Sequence, residues 1–574
     1  MAASAKCIIQ QLNDPDRFSE DLMNQKLLTL VLSLFALLAT PMFAAGQAAA
    51  DPNRELGLDE RIDQAFQPVA TGFEAIVFYE MPLPAPFNLP IILYLLIGGA
   101  SFFTLVFGFV NIRKFPLALQ VVRGKYDDIE MADDPDHREP HVEPAELNIV
   151  DGDIPDTIKD ESHHGEVNHF QALATAVSGT VGLGNIAGVA IAIGIGGPGA
   201  TLWMIIAGLL GMSSKFVECT LGVKYRDIDK DGTVHGGPMY NLSRGFEAIK
   251  LGPLGKVLAV IFAIFCVGGS FGGGNAFQAN QATSQIATMF DLAADGAART
   301  VIGIIMAILV AVVIIGGIKR IARVTEKLVP LMAIIYIVAS LIIILAHFTE
   351  IPAAIGQIIA GAFTPTAAVG GIAGVIIQGF RRAAFSNEAG AGSAAIAHSA
   401  VRTKYPASEG LVALLEPFID TVIICSMTAI VIVLFNMDGY FQYGGIGGNV
   451  MIGNEAVNGV DLTARAYNDV LPGFNVVLTV AIVLFAFSTM ISWSYYGLQS
   501  WKYLFGRSKA ADLSFKVLFC IFVVIGAAAS LGSVLAFSDA MILAMVFPNM
   551  IGLFFLFPRV REELARYLKA IGKA

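Results

Sequence analysis

Long apolar runs separated by short polar stretches set the plan of this chain. One run covers residues 89–110. Ten more follow, at 170–195, 201–222, 256–288, 299–317, 328–346, 369–400, 410–435, 474–501, 513–532 and 538–557. Each is long enough for the ~20 residues that a helix needs to cross a bilayer. A proline-bounded stretch, 352–363, predicts a surface or re-entrant helix. The run at 170–195 is unusual, because Ser178-Gly-Thr-Val-Gly-Leu-Gly-Asn185 sets three glycines among polar side chains. Glycine weakens a helix, and irregular backbone at membrane depth must be buried in protein or line a cavity.

Composition agrees with this pattern. Of 574 residues, 55% are hydrophobic and 15% charged, against about 25% charged in soluble domains. The acidic residues behind the net charge of −10 cluster outside the apolar runs. Cys7, Cys219, Cys266, Cys425 and Cys520 have no metal-site or redox spacing and read as packing residues.

Charge fixes the topology. Lys and Arg follow alternate core runs: Lys224, Arg226, Lys230, Arg244 and Lys250 after the second, and Lys319, Arg320, Arg323 and Lys327 after the fourth. Arg402 and Lys404 follow the sixth, Lys502, Arg507 and Lys509 the eighth, and Arg559, Arg561 and Arg566 the tenth. The intervening loops hold only Arg299 and Arg465. By the positive-inside rule the basic loops are cytoplasmic. Arg113, Lys114, Arg123 and Lys125 likewise put the C-terminal end of 89–110 inside.

Residues 23–50 combine a short basic region, an apolar run and Ala48-Ala-Ala50, as in a secretory signal peptide. An uncleaved anchor helix is the alternative, and Met23 could be the true first residue. Residues 51–88 then form a polar periplasmic segment. Residues 112–169 form an acidic cytoplasmic loop with His137, His141, His163, His164 and His169. Histidine-rich tracts bind metal in some proteins, but this spacing fits no standard zinc site and reads as a solvated loop.

Ten core runs divide into two sets of five, 170–348 and 349–560, with a cytoplasmic tail at 561–574. Five is odd, so the second set enters from the opposite side, as in an inverted repeat. Both sets open on an interrupted run: Gly179 to Asn185 in the first, and Gln378-Gly379-Phe380 through Arg381, Asn387, Glu388 and Ser393 in the second. Paired interruptions in corresponding positions point to a transporter binding site. The third runs are also polar and glycine-rich, with Phe271 and Asn275 in one and Phe485, Ser488, Thr489 and Trp493 in the other.

Broken helices leave N–H groups suited to a carboxylate, and unwound carbonyls suited to a bare cation. Ser178, Thr180, Asn185, Ser488 and Thr489 add the oxygen donors that sodium prefers. A small zwitterion with a small cation is complementary to such a site, and Phe271 and Trp493 could close over a small apolar side chain. Plainer roles compete: hydroxyls bond the i−4 carbonyl and glycines permit close packing. Arg381, Arg382, Glu388, Glu416 and Asp420 are costly in lipid and therefore functional candidates, with charge pairing inside the bundle as the rival role.

Five motifs then occur in family order: Gly179-Thr-Val-Gly-Leu-Gly-Asn-Ile-Ala-Gly188, Gly236-Gly-Pro-Met-Tyr240, Phe385-Ser-Asn-Glu-Ala-Gly-Ala-Gly-Ser393, Glu416-Pro-Phe-Ile-Asp420, and Phe487-Ser-Thr489 with Trp493-Ser-Tyr-Tyr-Gly497. Over roughly residues 170–560 the chain resembles the alanine or glycine:cation symporter family. The resemblance implies an all-α polytopic membrane protein of the leucine-transporter type, a 5+5 inverted repeat with one extra N-terminal helix at 89–111. It implies import of a small neutral amino acid, alanine or glycine, coupled to sodium. Thr180 and Gly184 would lie near the substrate carboxylate, and Thr180 with Asn185 near one sodium. Ser178, Val181, Phe485, Ser488 and Thr489 would hold a second. Phe271, Asn275, Gln378, Gly379 and Trp493 would complete the pocket. The N-terminal extension and the long loop depart from the family pattern.

The expected partners are the amino acid, sodium and the lipid bilayer of a bacterial inner membrane, with no organic cofactor, nucleic acid or obligate protein partner. A proton-coupled carrier is the alternative, with Asp420 or Glu416 as its acid. An enzyme would need a metal or nucleophile cluster within the spans, which the sequence does not offer.

Overall fold

The structure, a computed structural model, describes residues 58–82, 89–131, 165–229, 232–292, 297–364 and 371–573. The signal-peptide reading of 23–50 and the histidine-bearing stretch 132–164 lie outside these residues. Among the described residues the chain is helical apart from two short hairpins, Asp227–Ile228 with Val234–His235 and Val450–Ile452 with Glu455–Val457. Among the described residues seven helices are long and apolar enough to cross a membrane, or eight if the bent pair at the first break counts as one. This is a polytopic membrane protein.

Helices α1 (Leu58–Val77) and α2 (Ile91–Val106) precede the core. The first core run is α3 (His169–Thr180), then a break, a π turn (Gly184–Gly188) and α4 (Val189–Gly196), bent by 49°. A capping box starts α3: Asn168 Oδ1 accepts from Gln171 N, and Gln171 Oε1 from Asn168 N. Next come α5 (Ala200–Lys224), and α6 (Gly252–Phe271) joined through a π turn (Gly272–Ala276) to α7 (Phe277–Met289). Helices α8 (Ala298–Ile314) and α9 (Gly317–Ala346) follow, and the short α10 (Ile351–Phe363) comes after residue 348.

The second half holds α11 (Gly371–Asn387) and α12 (Ala394–His398), then α13 (Pro406–Ala413), a π stretch (Phe418–Cys425) and α14 (Ser426–Phe435). It ends with α15 (Gly459–Val470), α16 (Asn475–Phe505), α17 (Lys509–Ala528), α18 (Leu531–Ala544) and α19 (Val546–Ala570).

Side-chain contacts join the basic loops at one end of the bundle. Arg226 donates to the Ser399 and Thr403 carbonyls, Arg507 pairs with Asp227, and Lys224 pairs with Glu563. At the other end Asp63 accepts from Ser530 N at 2.9 Å, and Ser284 and Thr288 donate to Asp461.

Two sequence expectations need revision, and a further segment holds an element that the sequence reading did not include. The segment 51–88 contains α1, whose Ile62, Phe66, Val69, Phe73 and Val77 recur at helical spacing. Phe66 and Phe73 pack edge-on against Phe537 of α18, with ring centroids 5.2 and 6.4 Å apart. The second interruption is not at Gln378-Gly379, because α11 runs unbroken through both. It falls at residues 388–393, where Glu388, Gly390 and Gly392 take φ of 55°, 92° and 89° and end the helix. His169 is not part of a solvated loop. It is buried between Glu130 and Glu409.

Candidate functional site

The site is built on the break in α3. After Thr180, Val181 has ψ of 85° and the ladder stops. Two backbone donors freed from the ladder are then satisfied by side chains. Gly182 N–H donates to Asn185 Oδ1 at 2.9 Å, and Leu183 N–H to Gln278 Oε1 at 3.0 Å. Gln278, on α7, also donates to Gly273 O at 2.8 Å, so it ties the break to the π turn of the third run. Glycine is required where α16 approaches: a Cβ on Gly182 would lie 2.3 Å from Thr489 Oγ1. A Cβ on buried Gly188 would meet nothing within 4 Å, which leaves space beside the π turn.

Four of the expected sodium residues converge here. Ser178 Oγ donates to Ser488 O at 2.9 Å, and Thr489 Oγ1 to Ser178 O at 3.0 Å. Ser488 Oγ donates to Phe485 O at 2.9 Å. Phe485, Ser488 and Thr489 share one face of α16 by their spacing. All four residues are buried. Neutral oxygens of this kind suit a hard, weakly charged cation better than a transition metal. Thr180 is buried too, but its hydroxyl back-bonds to Ala176 O at 3.2 Å. Asn185 points across to the π stretch, where its Nδ2 donates to Asp420 Oδ1 at 2.6 Å.

The break after α11 faces this cluster. Gly184 lies against Phe385 and Ser386: a Cβ there would sit 3.5 Å from the Phe385 ring and 3.4 Å from Ser386 Cα. Phe385 also packs edge-on against Phe277, with centroids 5.0 Å apart. Asn387 donates to Thr421 Oγ1 at 2.8 Å, and its Oδ1 accepts from Ala389 N at 2.9 Å. Glu388 accepts from Trp493 Nε1 at 2.9 Å and from Ser393 Oγ. Trp493 therefore belongs to the neighbourhood of the breaks.

Four predicted pocket residues are turned elsewhere. Phe271 stacks on Phe515 and Phe522 of α17, with centroids 5.5 and 4.5 Å apart. Asn275 Nδ2 donates to Phe519 O at 2.7 Å, again on α17. Gly379 faces α5, where a Cβ would lie 2.5 Å from Trp203 Cβ, so close packing is its role. Gln378 lies against Gly196 at the far end of α4.

Charge pairing accounts for the two arginines. Arg381 Nε lies 2.6 Å from Asp539 on α18, and Arg381 Nη2 lies 2.9 Å from Glu74 on α1. Arg382 is buried, also pairs with Asp539, and has its guanidinium 5.1 Å from the Phe385 ring centroid. Sequence reasoning missed Asp539, Lys215, Glu218, Gln278 and Phe385. For the first three a signal existed, since each is a charge inside an apolar run. Gln278 stood out only as one polar residue of the third run, and Phe385 carried no signal that separated it from packing residues.

Comparison with known proteins identifies the family. The profile of the sodium:alanine symporter family matches residues 153–574. The sodium/alanine symporter AgcS of Methanococcus maripaludis is 36% identical over 468 residues, 81% of this chain and 92% of that one. The amino-acid carrier protein AlsT of Bacillus subtilis is 34% identical, over 72% of this chain and 76% of that one. The crystal structure of MhsT in complex with L-phenylalanine is similar at 16% identity and a TM-score of 0.44, over 69% of this chain and 99% of that one. The chain belongs to the sodium:alanine symporter family, whose members are transporters and not enzymes.

Proposed function

We propose that this protein imports a small neutral amino acid, alanine or glycine, together with sodium, by alternating access across the bacterial inner membrane. The observation that carries the reading is the convergence of Ser178, Phe485, Ser488 and Thr489 beside the break at residues 181–183. The second break, at Glu388 to Ser393, supports a 5+5 inverted repeat with the substrate between its halves. Thr180 and Gly184 serve the substrate carboxylate, and Thr180 with Asn185 serves a further sodium. Phe385 and Trp493 replace Phe271 as the walls that restrict side-chain size. The relative from Methanococcus maripaludis carries the name of a sodium/alanine symporter, which supports alanine.

In this cycle sodium fills the oxygen cluster first and fixes the break, because cation and unwound backbone share Ser178 and Val181. The amino acid then binds, the halves rock, and both solutes leave on the basic side. Counterflow in proteoliposomes preloaded with unlabelled alanine tests the substrate assignment. Labelled alanine and glycine should accumulate transiently, and glutamine and phenylalanine should not compete. Equal competition by large side chains would contradict it.

A further inference from the structure

A line of buried titratable groups runs from the basic end of the bundle towards the second break. It starts at His169, which lines a cleft of about 190 Å³ together with Arg123, Asp127, Asn168 and Arg402. His169 Nε2 is 2.8 Å from Glu130 Oε2, and its Nδ1 meets Glu409. The other oxygen of Glu409 is 2.5 Å from His398 Nδ1. His398 Nε2 faces Glu416 Oε2 at 3.5 Å, and Glu416 Oε1 is 3.1 Å from Lys215 Nζ. Lys215 stands one turn along α5 from Gly211, where a Cβ would lie 2.7 Å from Ala389 Cβ, so this part of α5 packs against the second break beside Glu388, and Glu218 follows on the same helix. Glu409 and Glu416 are seven residues apart, two helical turns or about 10 Å, so the line climbs along one helical run. Glu388 ends it, bonded to Trp493.

This is not a balanced structural network. Six buried carboxyl groups (Glu130, Glu218, Glu388, Glu409, Glu416 and Asp420) share four cationic groups: Lys215, Arg226, His169 and His398. An uncompensated buried charge is expensive, and here the carboxyls outnumber the cations beside them. A purely structural network satisfies its members. Among the described residues His398 Nε2, Glu416 Oε2 and Glu218 Oε2 have no hydrogen-bond partner, and the first two face each other across the 3.5 Å gap. Cys219, Cys266 and Tyr496 also face this cluster, and Asp420 lies one turn beyond Glu416.

We propose that this line conducts protons between the cytoplasm and Glu388, and that Glu388 must be protonated for the empty carrier to turn back. A proton from water in the cleft binds His169, which passes one on to Glu409. His398, Glu416 and Lys215 relay it to Glu388. Each transfer breaks one N–H or O–H bond and makes the next, and the last makes the Glu388 carboxylic acid. The logic is charge replacement. With sodium bound nearby, the Glu388 carboxylate is compensated. Once sodium and the amino acid have left, a proton takes over that role while the break closes, and when sodium rebinds from outside that proton passes back along the same line to water in the cytoplasmic cleft, so no proton crosses the membrane.

The proposal rests on the symporter reading above, and the test separates the two. Right-side-out membrane vesicles expose the cytoplasmic face to the lumen, which is buffered between about pH 6 and about pH 8 with the outside held constant. Net sodium-driven alanine uptake requires the empty return, whereas exchange against internal alanine and sodium does not. Raising the luminal pH should slow net uptake by about tenfold and change exchange by less than about twofold. His398→Gln and Glu409→Gln, neither of which touches the binding site, should exchange normally, which shows that they fold. Their net uptake should be slow and indifferent to luminal pH. Sodium-driven exchange in the wild type with net uptake flat across luminal pH would overturn the relay alone. Variants that keep the wild-type pH response would overturn it too. A wild type without any sodium-dependent exchange would overturn the symporter reading and the relay with it.

Discussion

Asn185 Nδ2 lies 2.6 Å from Asp420 Oδ1, while Asn185 Oδ1 accepts from Gly182 N–H at 2.9 Å. One amide therefore fastens the broken first run to the π stretch between α13 and α14. Asp420 is held on its other oxygen by Thr421 Oγ1 at 2.7 Å. Asn185→Ala leaves a buried carboxyl and a backbone N–H each short of a partner, at about 1–3 kcal/mol for an orphaned group. Maximal uptake should fall by at least about tenfold, measured per molecule of protein in the membrane. Wild-type turnover would show that this link is not part of the transport machinery.

Thr489 tests the ion assignment. Removing one oxygen of the cluster should raise the sodium half-saturation constant by about tenfold, equivalent to about 1.4 kcal/mol. Half-saturation by alanine at saturating sodium should change by less than about twofold. An unchanged sodium requirement in Thr489→Ala would remove Thr489 from the ion site.

Two glycines of one segment should behave in opposite ways. Gly182→Ala puts a methyl group 2.3 Å from Thr489 Oγ1 and 3.1 Å from Gln278 Oε1, both already engaged. Overpacking of this kind costs about 1–3 kcal/mol, and transport should be lost. Gly188→Ala meets no atom within 4 Å and should fold normally. If the space beside it accepts the substrate side chain, alanine uptake should fall more than glycine uptake.

The acid limb of stability has an identifiable source. Burial tends to raise the Glu130 pKa, but the hydrogen bond and charge of His169, with donors from Thr403 and Tyr567, hold it below the usual carboxylate range. A depressed carboxylate adds stability above its unfolded-state value and loses it as pH falls through the folded-state value. Arg507 and Arg244 depress Asp227 on the same side, outweighing its partial burial. Thermal unfolding of detergent-solubilised protein should thus occur at lower temperature as pH falls below the carboxylate range. Glu130→Gln should flatten part of that dependence, and an unaltered profile would contradict this assignment.

Much of this was legible in the sequence, because period and charge act locally. The break in α3 follows from Gly179 to Gly184, and the Ser488 and Thr489 hydroxyls share a face because of their spacing. Register across the bundle was not legible. Phe271 and Asn275 lie beside a glycine run that resembles a pocket lining, yet the π turn at Gly272–Ala276 directs both towards α17. Gln378-Gly379 looked like a break because glycine weakens helices, but Trp203 presses on Gly379 and needs the room. The break occurs where backbone φ turns positive, at Glu388, Gly390 and Gly392. His169 borders the acidic loop in sequence, and only the fold brings Glu130 and Glu409 to it.

The central claim is sodium-coupled uptake of a small amino acid through the paired breaks. The direct measurement is uptake of labelled alanine into proteoliposomes, with an inward sodium gradient and with potassium in its place. Accumulation above equilibrium should require the sodium gradient and survive a protonophore. Uptake that ignores sodium and collapses with the protonophore would contradict the claim and point to proton-driven import.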